Sequence, residues 1–408
     1  MDIRPILTTL RRHKTAAALI VFEVALTCAI ICNAVFLIEN RIQRMQRPSG
    51  MVENELLRVA IRGINAKGDK QALTHADLAL LRSLPGVKAA TVVNQVRYGD
   101  SSWNSGINLS SDQKVPTTNV SIYLGDPQFI KTMGLKLIAG RDFNPEEMIN
   151  YAKAREPGAN YPVSSAIITR ALAEKLFPGQ DPLGKSFYSW GDAPTHVVGV
   201  VEHLLRPNEG FGLGSAEYSV IFPIEMSYDD GIYLLRVDPS QRQQILKSAG
   251  EALAKNGPLR ILSDKNALVE SMADRYLQTD RSMVWLLGAV CIALLIVTAL
   301  GIVGLASFWV QQRTKQIGVR RALGATQGQI LRYFQTENFL LTSIGIVLGM
   351  ALAFAINLAL MKYYELPRLP ALYLPMGALC LWLLGQFAVY GPARRAAMVP
   401  PALATRSA

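Results

Sequence analysis

Cysteine is scarce in this chain, with four in 408 residues and none between residues 39 and 281. A disulfide framework is therefore excluded for that long central segment, which is large enough to bury a sufficient core without one. Histidine is as rare, also four, and its spacing builds no metal site. His196 and His203 flank a strand-like run beside Glu202, yet no H-E-x-x-H occurs. Glu146 and Glu147, like Asp229 and Asp230, are sequence neighbours that point apart in regular structure and suit solvated turns. No nucleophile elbow or spaced acid–base pair is present. The residues thus offer no catalytic group, and neither a metal nor another cofactor is expected in this chain. Proline is missing from Leu259 to Leu366, so a single long helix can run through much of that stretch.

Acidic charge is short near the apolar runs. The formal net charge is +11, with +3 in residues 1–14, +4 in residues 311–337 and +3 in residues 391–408. Residues 39–281 are nearly neutral at +1. Basic excess confined to short flanking segments is the positive-inside pattern of a multi-pass membrane protein and not a nucleic-acid footprint.

Half the residues are hydrophobic and the mean hydropathy is +0.20. Four runs, residues 15–38, 283–310, 338–360 and 371–391, reach the ~20 residues a helix needs to cross a bilayer. The first has a basic start but is too long for a signal-peptide core and lacks a small-residue cleavage site, so it reads as retained. Both termini are then cytoplasmic. Residues 1–14 read as an interfacial helix. Residues 39–281 form an outer domain with stalk helices at 39–47 and 266–282, the latter continuing through the second span. Residues 392–408 form a cytoplasmic tail. The first span carries Glu23, an intramembrane carboxylate that expects Lys14, a neighbouring helix or a second subunit as partner. The third carries Gly345-x-x-x-Gly349, a close-packing spacing. Cys28 and Cys32 share one helix face and read as packing residues.

The outer segment alternates strand and helix patterns. Glu55–Ile61 and Val87–Val96 are strand-like around a helix capped by Thr74, and Gly231–Val237 and Leu259–Leu262 repeat that order around a helix from Ser240 to about Asn256. Two such units separated by an insert predict a ferredoxin-like lobe, residues 55–98 and 228–265, with an inserted β-rich lobe at 99–227. Gly210–Gly214 reads as a hairpin tip. The expected class is thus an α-helical membrane protein with four transmembrane helices and a large α+β extracytoplasmic domain.

One motif invites a wrong reading. Gly179–Ser186 fits the phosphate-loop pattern G-x-x-x-x-G-K-[ST], but a helix is expected before it and a strand after it, the reverse of a phosphate cradle. Pro182 also removes a backbone donor, so the segment reads as a turn.

Residues 311–337 join the second and third spans. Gly324 followed by Thr326 and Gln329 predicts a helix end and a capping box, hence a short basic helix–turn–helix at the cytoplasmic face. Its string R-x-K-x-I-G-V-R-R-A-L-G-A-T, Arg313 to Thr326, resembles the signature of the MacB/FtsX family of ABC-transporter permeases. GLKLIAGRDF (Gly134–Phe143), ALAEKLFPGQDPLGKSF (Ala171–Phe187) and HVVGVVEHL (His196–Leu204) resemble that family's outer domain, and Val399–Arg406 loosely resembles its ending. The family usually has Glu where this chain has Gln316.

That resemblance implies a porter-like outer lobe and a MacB-type permease subunit. An ABC ATPase would be a separate chain holding ATP and Mg. The permease would pair with a second copy or a paralogous permease in a bacterial inner membrane, and a periplasmic adaptor and an outer-membrane channel are further partners of this kind of exporter. Arg313, Lys315, Gln316, Ile317, Gly318, Arg320, Arg321, Ala322, Leu323 and Gly324 would couple the chain to the ATPase, moving the outer domain by mechanotransmission. A lipoprotein-release permease and an FtsX-like activator of an envelope enzyme are the alternatives within the resemblance.

Overall fold

The computed structural model describes residues 14–64, 69–154, 162–189, 193–209, 215–227, 231–257, 259–263, 265–364 and 368–400. The expected interfacial helix up to residue 13, the Gly210–Gly214 tip and the tail from residue 401 lie outside the described residues. Two compact units are present: Arg47–Gln278, and Met1–Gln46 together with Thr279–Ala408.

In chain order, helix α1 (Lys14–Gln46) precedes the first lobe of the outer unit, which opens with β1 (Leu56–Gly63), α2 (Lys70–Ser83) and β2 (Val87–Val93). The insert follows with β3 (Asn104–Ile107), β4 (Thr118–Leu124), α3 (Phe129–Met133), β5 (Leu137–Gly140), β6 (Ile149–Asn150) and α4 (Tyr151–Ala154). It continues with β7 (Ser165–Thr169), α5 (Arg170–Leu176), β8 (Ser186–Phe187), β9 (Thr195–Val201), β10 (Ser219–Phe222) and β11 (Ile224–Glu225). The chain then returns to the first lobe as β12 (Ile232–Val237), α6 (Arg242–Lys255), β13 (Arg260–Leu262) and β14 (Ala267–Leu268).

The first-lobe sheet runs β13-β1-β12-β2, with every neighbouring pair antiparallel. Each βαβ unit is thus split by a strand of the other, which is the ferredoxin-like arrangement. Alternation on β1 explains how the sheet is covered. Leu57, Val59 and Ile61 share a core with Leu78 and Leu81 of α2 and Ile245 and Leu253 of α6. Leu56, pointing the other way, packs with Phe129 and Met133 of α3. A buried ion pair, Asp77 to Arg260 at 2.7 Å, ties α2 to β13, and the Tyr233 hydroxyl donates to the same carboxylate at 2.8 Å. The insert forms a mixed sheet ordered β3-β4-β10-β7-β9-β5, with β8 beside β9.

Two expected boundaries change for local reasons. The N-cap of α2 is Asp69, whose side chain accepts from the N–H groups of Gln71 and Ala72. Thr74 lies inside the helix, its hydroxyl donating back to the Lys70 carbonyl at 2.9 Å. The long helix starts at Val269 and not Asn266, because Ala267 and Leu268 pair with β1 and the Asn266 side chain accepts from the Ala60 N–H.

The remaining elements are α7 (Val269–Gln312), α8 (Thr314–Ala322), α9 (Gln327–Tyr364) and α10 (Tyr373–Ala397). Among the described residues, four helices (α1, α7, α9 and α10) are long and apolar enough to cross a membrane. Within this unit α1 is the hub: 61% of its apolar window is buried, against 17% for α7. Its closest neighbour is α9, through glycines with no room for a side chain. A Cβ on Gly345 would lie 2.8 Å from Val24 Cβ, and one on Gly349 would lie 2.5 Å from Cys28 Cβ. Asn33 of α1 seals the contact by donating to the Ala353 carbonyl at 3.0 Å, and Thr27 meets Thr298 of α7 at 2.8 Å.

Candidate functional site at the basic elbow

Between α7 and α9 the chain makes two bends, each with a local cause. Arg313 leaves helical geometry at φ −103°, ψ 7°, and α8 begins at the next residue. After Ala322, Gly324 adopts φ +96°, and the Gly324 and Ala325 N–H groups bond back to the Arg321 and Arg320 carbonyls. That left-handed turn is open to glycine at low cost. Thr326 and Gln329 then form a reciprocal capping box, with Thr326 N–H to Gln329 Oε1 at 2.9 Å and Gln329 N–H to Thr326 Oγ1 at 3.3 Å.

The inner face of α8 is a brace. Ile317 is buried against Ile330 and Phe334 of α9 and Ala393, Ala396 and Ala397 of α10. Small residues on α10 let α8 lie close, and Gly318 is buried in the same layer. Arg313 is 8% exposed by side chain and makes a two-pronged contact with Glu337, at 3.1 and 2.8 Å; Glu337 is 1% exposed. The same guanidinium lies 5.7 Å from the Trp309 ring centroid. Arg321 donates to the Ala397 carbonyl, which holds the end of α8 to the end of α10.

The outer face is differently built. Lys315, Gln316, Val319, Arg320, Ala322, Leu323 and Gly324 are exposed, and Leu323 is 83% exposed. Val319 and Leu323 are one turn apart, so they form a short apolar ridge between cations. Arg320 stacks over Tyr333 at 5.2 Å. Beside the ridge, a groove of about 300 Å³ is lined by Gln316, Arg320, Gln329, Tyr333 and Phe334.

The ten residues singled out in the sequence therefore divide in two. Arg313, Ile317 and Gly318 point inward and brace, Arg321 is tied to α10, and the others face outward. Glu23, Gly345 and Gly349 are not part of this elbow. The Glu23 carboxylate lies against α7, where a Cβ on Gly301 would sit 2.4 Å from its Oε2. The sequence alone assigns no role to Glu337, Tyr333 or Val319. An isolated acid at the edge of an apolar run was the available signal.

In the outer unit, the Gly179–Ser186 turn uses its own donors. Gly184 N–H bonds to the Val197 carbonyl at 2.8 Å and Lys185 N–H to the Pro182 carbonyl at 3.1 Å. It follows α5 and leads into β8, as the sequence order implied. Glu147 is not merely solvated. It pairs with Arg141 at 2.7 Å and accepts from the Asn144 N–H, and the Arg141 hydrogen bonds hold its carboxyl down to about 2. His203 faces Glu217 at 3.3 Å, while Glu202 is drawn to Lys136 and Arg170.

Residues 21–252 match the family described as the MacB-like periplasmic core domain, and residues 288–401 match the FtsX-like permease C-terminal family. The macrolide export ATP-binding/permease protein MacB of Shewanella sp. (strain W3-18-1) is 25% identical over 340 residues, which cover 77% of this chain and 48% of that protein. The protein of the same name from Rhodospirillum rubrum is 29% identical over 269 residues, 62% of this chain and 39% of its own length. The pyoverdine export ATP-binding/permease protein PvdT of Pseudomonas syringae pv. syringae is 25% identical, aligned over 98% of this chain and 58% of its own. The chain spans about half the length of the curated relatives it matches. Among solved structures, the periplasmic region of MacB from Actinobacillus actinomycetemcomitans aligns at 15% identity and TM-score 0.35, covering 57% of this chain and 97% of that one.

Proposed function

Because this chain belongs to the MacB-like family of FtsX-type permeases, we propose that it is the permease subunit of an ABC exporter whose ATP-binding part is a separate polypeptide. The curated relatives are named as ATP-binding/permease proteins, so an ATP-binding part belongs to the machinery of this kind of exporter. The ATPase holds ATP and Mg, and docks on the outer face of α8 at the cytoplasmic surface. A second permease, identical or paralogous, completes the assembly in a bacterial inner membrane, with both termini inside. Mechanotransmission is the mode of action: a push on α8 enters α7, whose 44 residues are uninterrupted by proline, and work is delivered to substrate on the outer side.

One observation carries this reading, the division of labour on α8. Its inner face is fixed by a buried ion pair and an apolar contact layer, while its outer face leaves Val319 and Leu323 uncovered between Lys315 and Arg320. A helix braced from behind and apolar in front suits a force-bearing contact. Leu323→Asp and Arg320→Glu should each reduce co-purification of ATP-hydrolysing activity from mild detergent and reduce export, with insertion and thermal stability unchanged. Arg321 is less diagnostic, since reversing its charge also breaks its tie to Ala397. Undiminished ATPase co-purification with both variants would overturn the docking role.

A further inference from the structure

A second cavity lies wholly within the outer unit, about 320 Å³ in volume, where β1, the loop after β2, the segment after β13 and the start of α7 meet. Its charged lining is Arg58, Lys265, Arg275 and Asp100, three cations against one carboxylate. Lys265 is paired with Asp100, which leaves two guanidinium groups over. The Arg58 Nε is buried and has no hydrogen-bond partner, although its Nη1 reaches the Lys265 carbonyl at 2.9 Å. Burial pulls the Arg58 guanidinium below its ordinary range, against the charge of Asp100 and with a smaller push from Arg275, while Lys265 and the two arginines hold the Asp100 carboxyl below its ordinary range.

The remaining wall is aromatic. Tyr98 and Tyr276 line the cavity with ring centroids 5.4 Å apart. Behind them sits Arg97, 2% exposed, 5.0 Å from the Tyr98 centroid and 5.4 Å from that of Tyr276. Tyr98 is the only non-glycine with positive φ among the described residues, at 68°. A tyrosine there is strained, and such strain persists only where the surroundings impose it. The hydroxyl donates to Glu53 at 2.7 Å and the backbone N–H to the Pro207 carbonyl at 2.9 Å, which fixes the ring toward the cavity.

We propose that this cavity binds a small aromatic anion, with a carboxylate or similar acid on Arg58 and Arg275 and its ring against Tyr98 and Tyr276. The volume is at the lower end of that of small-molecule sites, which holds the ligand to about one substituted ring. Arg58 and Arg275 carry the two positive charges beyond the Lys265–Asp100 pair that such an acid would offset. The inference needs neither ATP nor the ATPase partner, so it stands or falls separately from the exporter reading.

The test is a ¹⁹F NMR titration of 4-fluorobenzoate with the full chain in nanodiscs of neutral lipid, with no nucleotide present. Saturable binding is expected for 4-fluorobenzoate and none for 4-fluorobenzylamine. Arg58→Gln or Arg275→Gln should weaken binding about tenfold, the loss expected for one charged hydrogen bond. Asp100→Asn should tighten it, a change that misfolding cannot imitate. Equal binding of the amine, indifference to all three substitutions, or binding of inorganic phosphate with none of 4-fluorobenzoate would overturn the proposal.

Discussion

Glu337→Gln is the sharpest perturbation of the elbow. It keeps the shape of the side chain and one acceptor oxygen but removes the charge opposite Arg313. The pair is almost fully enclosed, at 8% and 1% exposure, and the Arg313 Nη2 already lacks a partner. Removing one member of a buried pair leaves an uncompensated charge and costs ~3–5 kcal/mol, whereas replacing both by apolar groups of similar size is near neutral. The retained amide oxygen places Glu337→Gln at the low end, ~3 kcal/mol. Arg313→Met strands the more deeply buried carboxylate and should cost at least as much. Arg313→Met combined with Glu337→Leu should fall within ~1 kcal/mol of wild type, so the cycle closed by the single variants Arg313→Met and Glu337→Leu yields a coupling well above the ~0–1 kcal/mol of an exposed pair. The assay is reversible unfolding of the purified chain in mixed micelles, followed by circular dichroism and by tryptophan fluorescence, to which Trp309 beside Arg313 contributes. A Glu337→Gln variant within ~1 kcal/mol of wild type, or a double variant as unstable as the summed singles, would show that water reaches the pair and that it does not brace the elbow.

Three further outcomes concern packing in the span unit and pH in the outer unit. Gly349→Leu forces a side chain into the space of Cys28 Cβ and the Ala25 carbonyl, at 2.5 and 2.7 Å from the first added carbon, and should cost at least the ~1–3 kcal/mol of overpacking. Gly304→Ala in α7, with nothing within 4 Å, should be neutral or slightly stabilising in the same unfolding assay. Asp126 is raised from 3.8 to about 6, by burial first, against hydrogen bonds from Thr91 and Gln128 and the charge of Arg82. The folded state therefore holds this proton more tightly, and its contribution is full below the ordinary value and lost as pH rises through about 6. At one pKa unit per ~1.4 kcal/mol the loss is ~3 kcal/mol, and Asp126→Asn should flatten that part of the pH dependence of thermal unfolding of the outer unit. An unchanged slope in the variant would assign the pH dependence to other groups.

What the sequence made legible was whatever has a local cause. Apolar runs of span length, the left-handed turn at Gly324 and the Thr326–Gln329 capping box are each written within a few residues. The β-α-β order on either side of the insert sufficed for the split first-lobe topology, because few pairings satisfy it. The brace was not legible. Glu337 meets Arg313 across 24 positions, and the alanines beneath Ile317 come from the far end of α10. Likewise the Gly345–Gly349 spacing announces close packing without naming α1 as what lies in it. Around Thr74 the helical pattern is plain in the sequence while its start is not; Asp69, the observed cap, stands about one and a half turns earlier. Nothing in a single tyrosine foretells a left-handed backbone at Tyr98, which depends on Glu53 and Pro207 from elsewhere.

The central place of α1 has a consequence for biosynthesis. It is the first of these spans to leave the ribosome, yet its closest partner, α9, comes some 320 residues later, as the Asn33–Ala353 bond shows. Until then Asn33 and the exposed backbone beside Val21 and Ala25 face lipid or an insertase without their glycine-lined groove. The outer unit, all of it encoded in between, is complete before the bundle can close. Maturation of this protein should therefore be limited by late capture of an early helix, and a nascent chain stalled before Gly349 should leave that helix accessible to thiol reagents at Cys28 that cannot reach it once α9 has arrived.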